Sequence, residues 1–297
     1  MKSNKIHSKK SSTDIYKLGI IRYSDALVWP IKPKINISIV TTYKCSLGCP
    51  YCLQNKEKKI NKLLSLKLFE KLLNKMFLEF KKENILNYKF AFSILGGEIS
   101  ELPLKYNLDL LDIIIDKIEK YKLDVEITWL SNFVQDNEYY LSIYNYLIKR
   151  NVLEIIDFEF LFSIHSQFIK NKSNEFIQNK LKSLFKSKNT ITQNTCIKIF
   201  GKNNAQKYIK TLLPFKPSFE IGDLNYLSYK KKFNNELNNL RVVKCYNYNY
   251  DINPFGEIIN RCGRNMTYFN FKANDLKKCN KMCPVGDVEF NTYKELI

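Results

Sequence analysis

Apolar positions along the first two-thirds of the chain follow two alternating periods. Residues 35–42 (INISIVTT) are β-branched and sit between Pro33 and Lys44, which predicts a strand. Leu66, Phe69, Leu72, Leu73, Met76, Phe77 and Phe80 then recur at helical spacing, with Ser65 placed to cap the helix they predict. The same alternation continues. Strands are predicted over 88–95, 123–130, 156–164, 194–200 and 217–222. Helices are predicted over 104–121, 137–150, 173–187 and 203–213, the last stopped by Pro214. Such repetition implies right-handed crossovers and a parallel sheet, an α/β fold. Six strands are too few for a closed eight-stranded barrel, so an open doubly wound sheet and a partial barrel both fit. Residues 223–244 are polar and rich in Asn and Lys, and read as a connector or surface helix.

Composition narrows the class. With 45% hydrophobic and 26% charged residues, the 297-residue chain is an ordinary globular protein and not a disordered one. No apolar run reaches the roughly 18 residues a membrane span needs, since residues 110–118 are interrupted by Asp112, Asp116 and Lys117. The charged N-terminus leads into no apolar stretch, so a cytoplasmic protein without a secretory signal is expected. Lys and Arg number 48 against 29 Asp and Glu, a net charge of +19. The lysines are spread through the chain among Asn and Ile. That argues for compositional bias and against a nucleic-acid groove, which would gather Arg and aromatics in one stripe. Residues 1–34 read as an N-terminal extension, partly disordered.

Eight cysteines change the picture further. Without export, a disulfide framework is disfavoured, and clustered cysteines point to metal. Cys45-Ser-Leu-Gly-Cys49-Pro-Tyr-Cys52 follows the first predicted strand, where α/β folds gather their functional residues. Zinc would want a fourth ligand, and the two histidines, His7 and His165, are distant in sequence. Three thiolates suit a four-iron cluster with one iron open. This spacing, with Tyr51 before the third cysteine, resembles the radical S-adenosylmethionine (SAM) superfamily. The resemblance implies a [4Fe-4S] cluster on Cys45, Cys49 and Cys52 whose open iron chelates SAM. The reduced cluster then yields a 5′-deoxyadenosyl radical that takes hydrogen from a substrate.

Gly96-Gly97-Glu98 ends the second predicted strand. Two glycines allow close approach of backbone to a ligand, and a glutamate can accept from an ammonium group. At this position the triplet resembles the family's motif for the methionine amino group, with Ile99 where relatives carry Pro. The resemblance extends to Ser131-Asn132, followed by Phe133 in place of the usual Gly, which is expected to narrow the site. It extends also to Ser163 as a SAM contact. His165 and Lys198 are candidates to meet substrate or cofactor. Cys196 reads as a buried thiol within a strand.

The remaining cysteines, Cys245, Cys262, Cys279 and Cys283, follow the connector. Pro254 and Gly256 mark a turn between two β-like runs, so the first pair can face across a hairpin. Four thiolates hold zinc or iron–sulfur equally well. The arrangement resembles the auxiliary-cluster region called twitch, or a short SPASM domain, which implies a second iron–sulfur cluster. The expected architecture is a partial (β/α)6 TIM-like barrel over 35–225 and a small cysteine-rich auxiliary-cluster domain over 226–297. The resemblance implies an iron–sulfur oxidoreductase acting on a peptide, or else on a small sugar or aminocyclitol. It also implies an external electron donor of flavodoxin or ferredoxin type. A zinc-stapled, basic nucleic-acid binder is the alternative from another class.

Overall fold

The structure is a computed structural model that describes residues 34–47, 49, 52, 60–164, 172–200, 208–222, 248–260 and 264–267. The chain divides into two units, and all of these residues belong to the larger, Pro33–Leu224 with Asn247–Lys277.

Strands β1 (Lys34–Val40), β2 (Lys89–Leu95), β3 (Val125–Ser131), β4 (Ile156–Ile164), β5 (Thr195–Phe200) and β6 (Ser218–Gly222) lie side by side in chain order, all parallel. Between them run α1 (Leu66–Lys82), α2 (Leu104–Tyr121), α3 (Asn137–Lys149), α4 (Asn174–Ser187) and the short α5 (Asn189–Gln193). A doubly wound sheet would reverse its strand order at a switch point. Here the order never reverses. Right-handed crossovers then put every helix on one face, which is the arrangement of a partial (β/α)6 barrel.

The helix-facing side of the sheet is apolar. Ile35, Ile37, Ile39, Phe90, Phe92, Ile94, Ile127, Trp129, Phe160 and Phe162 are fully buried there. They meet Phe69, Leu72, Leu73, Met76, Phe77 and Phe80 of α1 and Leu110, Leu111, Ile114 and Ile115 of α2. Each such side chain contributes roughly 1.5–3 kcal/mol by leaving water. The helices start where polar caps stand. Ser65 accepts from the Leu68 N–H, Asp136 from Tyr139 and Ser173 from Phe176. Lys81 and Lys82 close α1 against the negative end of its dipole.

The sheet runs past the expected boundary near residue 225. β7 (Tyr248–Ile252) pairs in parallel with β1, and β8 (Glu257–Asn260) and β9 (Arg264–Thr267) follow antiparallel, giving a nine-stranded sheet in the order β6-β5-β4-β3-β2-β1-β7-β8-β9. The β7–β8 turn is the one that Pro254 and Gly256 announce. The Asn253 side chain accepts from the N–H groups of Phe255 and Glu257, and Gly256 adopts φ +75°. Among the described residues no helix is long and apolar enough to cross a membrane. Residues 1–33 of the expected N-terminal extension, the connector and Cys245, Cys262, Cys279 and Cys283 lie outside the described residues, while Lys34 opens β1.

Candidate active site

The first three strand ends are tied together by backbone and by one carboxylate. Thr41 N–H donates to Leu95 O at 2.9 Å, Gly97 N–H to Thr42 O at 2.6 Å and Glu98 N–H to Lys44 O at 2.8 Å. The β2 exit thus lies directly on the loop that leads to Cys45. A Cβ on Gly97 would sit 1.9 Å from the Lys44 carbonyl oxygen, and one on Gly96 would sit 2.6 Å from that of Thr42. The glycines are required by this backbone-to-backbone approach.

Cys45 and Cys52 are half-buried and Cys49 is buried, all on this loop. The Cys45 sulfur accepts from the Leu47 N–H at 3.4 Å, and Cys52 N–H donates to Cys49 O at 3.1 Å. Ser46 N–H is held by the Glu101 carboxylate at 3.0 Å. Among the described residues no group of three His, Cys, Asp or Glu side chains is drawn together as for a metal ion. In donor chemistry the loop fits an iron–sulfur cluster: three thiols within eight residues, one of them already accepting an amide N–H.

Glu98 is 1% exposed. Its carboxylate accepts from four donors: Ser100 N–H at 3.0 Å, Ser100 Oγ at 2.6 Å, Ser131 Oγ at 2.7 Å and Asn132 N–H at 2.6 Å. Three of these donors converge on Oε1 and one, Asn132 N–H, reaches Oε2, so Oε2 keeps a further acceptor site. Burial pushes its pKa above the usual glutamate value, and the four hydrogen bonds pull it down only in part. Ser131 lies on the helix-facing side of β3 and also bonds the Tyr140 hydroxyl at 3.1 Å. Burial pushes the Tyr140 hydroxyl upward. Ser131 therefore engages protein groups on both sides.

Phe133 does not narrow the mouth of the site. Its backbone is left-handed, φ 59°, which turns the ring into the helix-side core. There it is fully buried, 4.6 Å from the Phe162 ring and 5.1 Å from Tyr140. Lys180 of α4 lies over the same ring at 4.2 Å. Its ammonium donates to Phe133 O at 2.9 Å and to Gln135 O. Burial lowers the Lys180 pKa to about 8, while Asp136 and Glu98 act to raise it. Ser100, Tyr140 and Lys180 were not singled out from sequence, because nothing in their local pattern shows which strand end they reach.

On the opposite face of the sheet, Ser163 of β4 is aligned with Lys198 of β5. Ser163 and Lys198 are half-buried. Cys196 is buried on β5. Tyr51 and His165 lie outside the described residues.

No protein-family model and no curated protein matches the chain. Solved structures do. The chain is similar to hexahistidine-tagged anSMEcpe with bound S-adenosylmethionine, at a TM-score of 0.50 and 14% identity over 89% of this chain and 83% of that one. The fold is that of a radical SAM enzyme. Two further radical SAM structures match at lower TM-scores. One is anSMEcpe with bound S-adenosylmethionine and Cp18Cys peptide (0.40, 14% identity, 89% and 82% covered). The other is Streptococcus suis SuiB bound to S-adenosylmethionine (0.41, 14% identity, 95% and 66% covered).

Proposed function

We propose that this chain is a radical SAM enzyme that cleaves S-adenosylmethionine reductively and takes a hydrogen atom from a peptide side chain. The observation that carries this reading is the docking of Gly96-Gly97-Glu98 onto the loop that leads to Cys45. It brings the three-cysteine loop and the Gly-Gly-Glu segment to adjacent strand ends of a radical SAM fold. Cys45, Cys49 and Cys52 would hold a four-iron cluster. When bound, such a cluster supplies the electron that cleaves S-adenosylmethionine to methionine and a 5′-deoxyadenosyl radical.

The chain's own residues bind and orient. Tyr51 and the backbone of 96–98 would hold the methionine end, with Ser163 as a further contact. The Glu98 carboxylate holds the β2 and β3 exits together, and its Oε2, which accepts from Asn132 N–H, would accept also from the methionine amino group. Lys198 or His165 would meet the substrate. Cys245, Cys262, Cys279 and Cys283 would hold a second cluster. With four protein ligands it has no open iron, so its role is to pass electrons. An external flavodoxin or ferredoxin type donor would supply them at the start. A peptide is the substrate class we carry forward, because anSMEcpe is also solved with a peptide bound. The test is anaerobic reconstitution with iron and sulfide, followed by assay of 5′-deoxyadenosine in dithionite. Iron and sulfide together with 5′-deoxyadenosine support the reading, and zinc without sulfide overturns it.

A further inference from the structure

We propose that Lys180 is a positioning residue for the S-adenosylmethionine pocket, holding the exit of β3 by capping the carbonyls of Phe133 and Gln135. The inference rests on the functional reading above and assigns to α4 a part in it. A phenylalanine at φ 59° sits where glycine is favoured, so the 131–135 turn is strained unless its surroundings hold it. Lys180 does so from three directions. Its ammonium donates to Phe133 O at 2.9 Å and to Gln135 O, and it stands 4.2 Å from the Phe133 ring centre. The grip is mutual, since the Asn137 side chain donates to the Lys180 carbonyl at 2.9 Å.

The turn held in this way is the one that supplies two of the four donors to Glu98. Ser131 Oγ and Asn132 N–H reach that carboxylate at 2.7 and 2.6 Å, and Phe133 N–H in turn donates to Ser131 Oγ at 3.1 Å. A shift at Phe133 is therefore passed to Ser131 and Asn132, then to Glu98 and the Gly-Gly segment that lies on the Cys45 loop. Burying an ammonium is costly, and a hydrocarbon of the same length would fill the space without that cost. The charge is spent on two carbonyls and a ring face. The groups that face it are the Asp136 and Glu98 carboxylates, which favour the charged form, and the Lys172 ammonium, which opposes it. Deprotonation near pH 8 weakens the cap, so the turn loosens as the pH rises through that value.

Two measurements test this on Lys180→Met and Lys180→Arg, each first shown to melt cooperatively. The first is amide hydrogen exchange of the 131–135 segment without ligand. Lys180→Met should exchange faster by about tenfold, and Lys180→Arg should match the parent. Unchanged exchange in Lys180→Met overturns the proposal. The second is S-adenosylmethionine affinity of the reconstituted protein between about pH 6.5 and 9.5. The ratio of Lys180→Arg to parent affinity cancels titration of the ligand itself. That ratio should rise severalfold above about pH 8, and a flat ratio counts against the proposal. A parent that binds no S-adenosylmethionine, yet whose Lys180→Met variant shows the exchange effect, overturns the functional reading and leaves the positioning role standing.

Discussion

Ser131 donates its hydroxyl to the Glu98 carboxylate at 2.7 Å, which joins the end of β3 to the end of β2 inside the protein. This contact makes Glu98 a tie between strand exits. Replacing it with glutamine leaves one acceptor oxygen where the carboxylate had two, and the Asn132 N–H loses its partner. Glu98→Gln should cost roughly 1–3 kcal/mol of stability, measured by urea unfolding. Ser131→Ala should cost about 1 kcal/mol. A Glu98→Gln variant as stable as the parent would show that the tie carries no strength.

The same variant has a pH signature. Burial raises the folded pKa of Glu98 above 4.5, so the folded chain binds this proton more tightly than the unfolded one. The stability it contributes is fully present below that ordinary value and is lost as the pH rises through the raised one. Glutamine does not titrate. The stability gap between parent and Glu98→Gln should therefore narrow as the pH rises from about 4.5. A gap that widens over the same range would contradict the raised pKa.

Gly97→Ala should separate metal binding from folding. The new methyl carbon would meet a backbone oxygen, Lys44 O, at 1.9 Å, and that oxygen belongs to the residue before Cys45. The loop must move. Iron bound after reconstitution should fall by about half while far-UV circular dichroism stays near that of the parent, because the helices pack elsewhere. Full iron content in Gly97→Ala would show that the docking of β2 on the loop is not needed.

Much of this arrangement was legible in the sequence. The six parallel strands and most of the helices between them follow from apolar periodicity, and the cap at Ser65 marks where the first helix begins. The placement of β7 beside β1 was not legible, because a strand's own alternation does not name its partner. The three-cysteine loop and Gly-Gly-Glu were visible as motifs, yet the reason for the glycines was not. It depends on the distance between two chain segments more than fifty residues apart in sequence. Phe133 misled for a related cause. Its backbone angle decides which way the ring points, and Lys180, which steadies that angle, lies on α4, beyond α3 and β4.

The four C-terminal cysteines give a further prediction. If they hold an electron-passing cluster, replacing Cys279 and Cys283 with Ala should spare cleavage of S-adenosylmethionine and abolish substrate product. Solubility of the double variant is checked first, since loss of a metal also removes a fold constraint. Full product yield from the folded variant would leave that site a structural staple.

The most direct measurement is 5′-deoxyadenosine formed by the anaerobically reconstituted protein with S-adenosylmethionine and dithionite, with iron and sulfide counted in the same preparation. The expected result is 5′-deoxyadenosine and methionine in equal amounts, from protein holding about eight iron and eight sulfide if both clusters are four-iron. Replacing Cys45, Cys49 and Cys52 with Ala should remove about half of that iron and all of the cleavage. A preparation that holds zinc without sulfide, and makes no 5′-deoxyadenosine, would contradict the assignment.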